Sequence, residues 1–328
     1  METPSPSSPP SPPVLLDHIE VHLVSPLPRP QQNQLLTLFC NYSIFEFSDS
    51  APQFIMPPLE KEGFWGKPTS TIDWCENNYD FSYFIAEMTN TVSNLMMILP
   101  PIWGMIEVIQ QKFEKKFVYC YLLILIVGLG SWAFHMTLLY EMQLFDELPM
   151  VWGTSVLVYN LSEVRKPLKN RPISNVPLFF FLTAFCIFFT ILYLYWPQPV
   201  FQHTSYGILV FASFMLEIQL ICAKGCHICK KLFISSTSIY LFGFFLWNLD
   251  KVFCPNLNTL RGNIPGILDP FTQLHGWWHV MAGYGTYLQV LFTIHSSYDF
   301  RYERLNSPVN LLPHPCGFGL SWVKKNRC

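Results

Sequence analysis

Residues 117–150 read FVYCYLLILIVGLGSWAFHMTLLYEMQLFDELPM. The first part is an apolar run of the kind that crosses a bilayer, which takes about 20 mostly apolar residues in a helix. Its far end carries Ser131 and His135, and the apolar stretch that follows carries Asp146 near its start. Ionisable groups inside a span are costly and mark function. This stretch therefore decides the fold class and also points to the chemistry.

The composition agrees. Of 328 residues, 51% are hydrophobic and 13% charged, against about 25% charged in soluble domains. The net charge of −2 comes with no basic patch, so nucleic-acid binding is not expected. METPSPSSPPSPP at the start lacks the basic region and apolar core of a secretory signal. Such a Pro/Ser-rich segment cannot bury a core. The expected organisation is a disordered Pro/Ser-rich extension over 1–62, a membrane domain over 63–300 and a tail over 301–328.

Seven apolar segments are expected as spans, at 83–109, 117–138, 143–162, 176–196, 205–223, 232–250 and 272–296. The chain thus reads as an all-α membrane protein, a seven-transmembrane helix bundle. With seven spans, one face receives 15 of the 20 Lys and Arg residues, in the loops around Lys112–Lys116, Arg165–Arg171 and Lys224–Lys231 and in the tail. The other receives Arg29, Lys61, Lys67, Lys251 and Arg261. The positive-inside rule puts the 15 in the cytosol. The N-terminus is then lumenal or extracellular and the C-terminus cytosolic.

On that topology His135, Asp146 and the pair His275 and His279 of QLHGWWHV share the lumenal depth. The spacing i, i+4 puts His275 and His279 on one helix face. Three histidines with an open fourth position form a standard catalytic zinc set. Such a site acidifies a water to a nucleophile at neutral pH. Asp146 is placed to take its proton, and Ser131, one turn before His135, to steady a developing oxyanion. A lone histidine at a span end is more often an interfacial residue; the convergence of three with a carboxylate favours the site. His203, His227, His295, His18, His22 and His314 lack that geometry and are left out. The pair Cys226 and Cys229 lies on the cytosolic side with no second pair, a weak metal signal.

A second cluster lies in TSTIDWCENNYDFSYFIAEMTN. Asp73, Glu76, Asn78 and Glu87 offer hard oxygen ligands and Trp74 a carbonyl, a set suited to calcium. The spacing is not that of an EF-hand, and on spacing alone a solvated acidic loop is favoured. Cys75 and Cys254 both fall on the lumenal side, where an oxidising compartment permits a disulfide.

The stretches GFWGKPTSTIDWCENNYDFSYFIAEMTNTVSNLMMILPP, VGLGSWAFHMTLLYEMQLFDELPM, LFGFFLWNLDKVFC and FTQLHGWWHVMAGYGTYLQVLF resemble the alkaline ceramidase family over about 63–300. The resemblance implies a seven-span amidase that hydrolyses the N-acyl bond of ceramides, dihydro- and phytoceramides included. It implies catalytic zinc on His135, His275 and His279, with Ser131 and Asp146 as polar catalytic partners. It also implies structural or activating calcium on Asp73, Trp74, Glu76, Asn78 and Glu87, and a disulfide between Cys75 and Cys254. Residence in the endoplasmic reticulum and Golgi membranes is implied too. The expected partners are ceramide from the bilayer and membrane lipids, with no nucleic acid and no obligate protein partner. The Pro-rich extension and the tail depart from the family. Two other readings stay open: a seven-span zinc-containing progestin or adipokine receptor-like protein, and a lipid-remodelling hydrolase of glycosylphosphatidylinositol anchors.

Overall fold

A computed structural model describes residues 62–165 and 175–300 with side chains, and the backbone of 301, 309–314 and 317–322. Apart from Glu62, the extension expected over 1–62 lies outside the described residues, as does much of the tail. The body is helical. Helices α1 (Met88–Ser93) and α2 (Leu95–Gln110) are separated only at Asn94. They are followed by α3 (Lys116–Thr137), α4 (Tyr140–Glu163), α5 (Val176–Tyr195), α6 (Pro199–Lys224) and α7 (His227–Val252). Two short helices, α8 (Cys254–Arg261) and α9 (Asp269–Thr272), lead into α10 (Leu274–Arg301). In the tail β1 (Val309–His314) pairs antiparallel with β2 (Gly317–Trp322), Val309 opposite Trp322. No strand was expected there.

Five of these helical stretches are long and apolar enough to cross a membrane: α1 with α2, α3, α5, α6 and α7. The other two expected spans, α4 and α10, have the length, at 24 and 28 residues. That is about 36 and 42 Å of helix. They fall short on apolarity because they carry Glu141, Asp146 and Glu147, and His275, His279 and Asp299. The first helix starts at 88 rather than 83, and the residues before it are held outside the helix.

That preceding segment positions the site. The last carbonyls of a helix lack intrahelical partners. At the end of α3 they are taken by the incoming chain: Ala86 N–H donates to Met136 O (3.0 Å) and Glu87 N–H to His135 O (3.0 Å). Thr69 and Ser70 N–H both donate to Leu138 O, at 3.0 and 3.1 Å. Leu138 itself is left-handed (φ 53°) and fully buried. The turn it makes lets α4 start two residues later, folded back along α3.

Small residues bring these helices together, as membrane helix interfaces require. A Cβ on Gly130 would lie 2.2 Å from the carbonyl oxygen of Phe145. Only glycine lets the two backbones approach so closely. The following residue on each helix is Ser131 and Asp146. Helices α3 and α10 run antiparallel. Tyr121 meets Tyr287 (5.5 Å between rings) within a hydrophobic core that also holds Phe117, Leu288 and Phe292. At their other ends His135 meets His279 (4.7 Å).

Candidate metal centre

His135 comes from the last turn of α3, and His275 and His279 from the first turns of α10. A ligand atom from each lies within 4.8 Å of the other two, and all three side chains are buried. The backbone interactions around 86–87 and the α10 register set this convergence.

Each ring is oriented from behind. The His135 Nδ1 pairs with a Glu87 carboxylate oxygen, both groups buried. The His279 Nδ1 lies 2.8 Å from Ser93 Oγ and 3.1 Å from Asn90 O. The His275 ring stacks on Trp74 (3.8 Å, 25°), and its Nδ1 finds no hydrogen-bond partner among the described residues. Carboxylate and carbonyl partners on the far nitrogen are how metal-ligating histidines are held. The donor set, three buried imidazole nitrogens of which His135 and His279 have such backing, fits a zinc ion.

Ser131, buried one turn before His135, lies beside the Asp146 carboxylate across the Gly130 contact. Ser131, Asp146, His275 and His279 line one cavity of about 530 Å³. That volume falls within the range of small-molecule sites. The rest of its wall is mostly apolar and reaches Phe211, Leu241 and Phe244. Those three side chains are 65%, 51% and 47% exposed on the outer surface. The cavity thus runs from the polar group to the lipid-facing side of α6 and α7.

The acidic loop is more dispersed than the histidines. Among the described residues, Asp73, Glu76 and Glu87 do not bring their carboxylates within the 4.8 Å that unites the three rings. Glu76 turns to the start of α1, accepting from Thr89 and Asn90 N–H at 2.7 and 2.8 Å. Glu87 turns to His135. Asn78 Nδ2 donates to Asp73 (3.2 Å). Two oxygens stay unused: Glu87 Oε1 and Asn78 Oδ1 are buried without partners among the described residues. Buried unsatisfied oxygens are rare and call for a cation or water, so the oxygen set fits a hard cation. Burial, with repulsion from Glu87, pushes the Asp73 carboxyl up to about 7. Burial raises Glu87 and Glu76 as well.

Cys75 and Cys254 form a disulfide, with Cα atoms 5.4 Å apart. Arg261 braces the same corner. It donates to Cys75 O (2.8 Å), Asn258 Oδ1 (2.7 Å) and Thr272 O (2.9 Å).

Several residues here were not anticipated. Ser93 and Asn90 hold His279 from 186 and 189 residues away in sequence. Glu147, next to Asp146, is buried and accepts from Tyr193 on α5 and Gln143 on α4. An acidic residue beside Asp146 was the available signal. Lys251 sits over the Trp247 ring at 3.8 Å and the Trp74 ring at 4.7 Å. A second trio, Cys226, Cys229 and His295, also comes within 4.8 Å, although its members were set aside on sequence.

The chain matches known proteins over this same region. The ceramidase family model covers residues 66–309. Alkaline ceramidase 3 of Mus musculus is 42% identical over 240 residues, covering 73% of this chain and 88% of the relative. An alkaline ceramidase of Saccharomyces cerevisiae is 32% identical over 254 residues, 73% of this chain and 80% of the relative. An alkaline ceramidase of Arabidopsis thaliana is 30% identical over 224 residues, 68% of this chain and 82% of the relative. The histidines, Ser131, Asp146 and the acidic loop all lie within the matched span, and the chain belongs to the alkaline ceramidase family of membrane hydrolases.

Proposed function

We propose that the chain is a zinc-dependent ceramide amidohydrolase, stabilised by calcium, that releases a sphingoid base and a fatty acid. The observation that carries the reading is the opening of an apolar cavity, reached from the lipid side, onto Ser131, Asp146 and two members, His275 and His279, of the buried three-histidine cluster. Family membership favours amide hydrolysis over the receptor and ester-hydrolase readings. Dihydro- and phytoceramides are included as substrates.

His135, His275 and His279 hold the zinc, which when bound polarises a carbonyl and acidifies water. The chain's own groups do the rest. The wall of Phe211, Phe214 and Phe244 takes the two hydrocarbon tails. Asp146 accepts the proton of the attacking water and returns one to the leaving amine nitrogen. Ser131 turns its single O–H from that carboxylate to the amide oxygen as charge grows there. Glu87 and Ser93 fix the histidine rings.

Asp73, Trp74, Glu76, Asn78 and Glu87 hold the calcium. Glu87 belongs to both centres, so this loop couples calcium to the position of His135. The seven-span topology, a lumenal N-terminus and cytosolic C-terminus, and residence in the endoplasmic reticulum and Golgi membranes complete the proposal. The distribution of Lys and Arg supports the orientation.

The test is ceramide hydrolysis at alkaline pH by purified wild type and His275→Ala, with zinc measured on both and an ester lipid as control substrate. Fatty acid release from ceramide, with activity and zinc both lost in the variant, is the expected result. Zinc bound with no hydrolysis of any ceramide would overturn the reading in favour of a structural metal.

A further inference from the structure

The link between α6 and α7 is two residues long. Helix α6 ends at Lys224, Gly225 takes the left-handed conformation (φ 69°), and Cys226 caps α7. The Cys226 Sγ accepts from Cys229 N–H at 3.2 Å. This turn stands against α10 at His295, where His295 Nδ1 lies 3.3 Å from Cys229 Sγ and 3.8 Å from Cys226 Sγ. Cys229 and His295 are 2% and 1% exposed and Cys226 is half-buried. His295 Nε2 is buried with no partner among the described residues. The nitrogen turned to the two sulfurs is Nδ1.

The spacing matches a coordination sphere. With metal–sulfur bonds of about 2.3 Å and metal–nitrogen bonds of about 2.0–2.1 Å, a tetrahedral ion separates S and N ligands by roughly 3.6 Å. The two observed S–N distances fall on either side of that value. Both thiols also sit at the N-terminus of a 26-residue helix, whose dipole favours the thiolate form that binds metal. Two thiolates and a neutral imidazole cancel the charge of a divalent ion. The assembled centre is then neutral, which a low-dielectric helix bundle tolerates.

We propose that Cys226, Cys229 and His295 form a second metal site, separate from the three-histidine centre, for a thiolate-preferring d10 cation, zinc above all. The chemistry of the donors selects it: two soft sulfurs and an imidazole suit zinc and disfavour magnesium or calcium. The site is far from the first. His295 is 16 residues beyond His279 on one continuous helix, about 24 Å along its axis. Its metal pins the α6–α7 turn to α10 and so fixes the register of the helix that carries His275 and His279. On the orientation proposed above it faces the cytosol, where thiols stay reduced.

The test uses full-length protein purified anaerobically in detergent. Metal content is measured for wild type, His275→Ala, Cys226→Ser and the double variant Cys226→Ser with Cys229→Ala. Each is also reloaded with cobalt(II) and its near-ultraviolet spectrum recorded. The three-histidine centre has no sulfur, so a thiolate-to-cobalt band reports this site alone. The expected result is two zinc ions per wild-type chain, one in the double variant, and the cobalt–thiolate band in wild type and His275→Ala but not in the double variant. Serine is a favoured cap, so Cys226→Ser keeps the helix start, and monodispersity on gel filtration confirms its fold. Absence of the band in wild type, unchanged zinc in the double variant, or a Cys226–Cys229 disulfide in the anaerobic protein by mass spectrometry would each overturn the site. None of these outcomes depends on whether ceramide is hydrolysed.

Discussion

Glu87 and His135 are 48 residues apart, and the fully buried Glu87 carboxylate pairs with the His135 Nδ1. Their backbones are also joined, Glu87 N–H to His135 O at 3.0 Å. The acidic loop and the histidine cluster thus meet at one carboxylate. Losing such a partner typically costs about 10–100-fold in metal affinity. Glu87→Gln keeps the shape and removes the charge. It is expected to lose zinc to a competing chelator at concentrations roughly 10-fold lower or less than wild type requires. Equal retention by the two proteins would separate Glu87 from the zinc centre.

Asp146 has a different role, because it touches none of the three rings in the hydrogen-bond network and faces the cavity beside Ser131. Asp146→Ala is expected to keep its zinc and to lose about 10²–10⁴ in kcat, the usual contribution of general acid–base catalysis. Metal analysis beside steady-state kinetics reads both quantities. A variant with full turnover removes Asp146 from proton transfer.

Gly130 tests the helix contact that brings Ser131 to Asp146. Gly130→Ala places a methyl 2.2 Å from the Phe145 carbonyl oxygen, and the backbones must separate. Overpacking of this kind costs about 1–3 kcal/mol. A lower Tm with a lower kcat is expected, the second because the pair is pulled apart. A Tm equal to wild type shows that α3 and α4 tolerate the spacing.

Calcium removal probes the loop. Glu87 Oε1 and Asn78 Oδ1 are buried acceptors without partners among the described residues, and the nearby carboxylates repel one another. Chelation with a calcium-selective agent is expected to lower Tm and activity together, and calcium to restore both. Indifference of both readouts, with the protein shown free of calcium, removes the cation from this loop.

Arg261 is the brace of the corner that the Cys75–Cys254 disulfide closes. It is buried beside Asp250 (3.9 Å) and Asp269 (3.7 Å) as well as its carbonyl acceptors. Arg261→Ala leaves a buried carboxylate unpaired, which costs about 3–5 kcal/mol. Reduction of the disulfide removes a further contribution, typically about 2–4 kcal/mol. Thermal unfolding of both forms, with and without reductant, separates the two; a variant as stable as wild type shows that the carboxylates find water instead.

Much of this protein is set by local pattern. Apolar length alone marks α3, α5, α6 and α7 as membrane helices, because hydrocarbon accepts no unpaired backbone group. The i, i+4 spacing of His275 and His279 puts them on one face whatever surrounds them. The tertiary structure decided what local pattern cannot carry. It showed that α4 and α10, long enough to span, bury polar groups such as Glu147, His275 and His279 against partners on other elements. It joined Glu87, from the extended segment that satisfies the open carbonyls of α3, to His135, and Ser93, from α1, to His279. It also brought Cys226, Cys229 and His295 together, which spacing gave no reason to connect. A residue's neighbours along a helix follow from 3.6-residue geometry, whereas its neighbours on other helices depend on where glycines such as Gly130 let backbones touch.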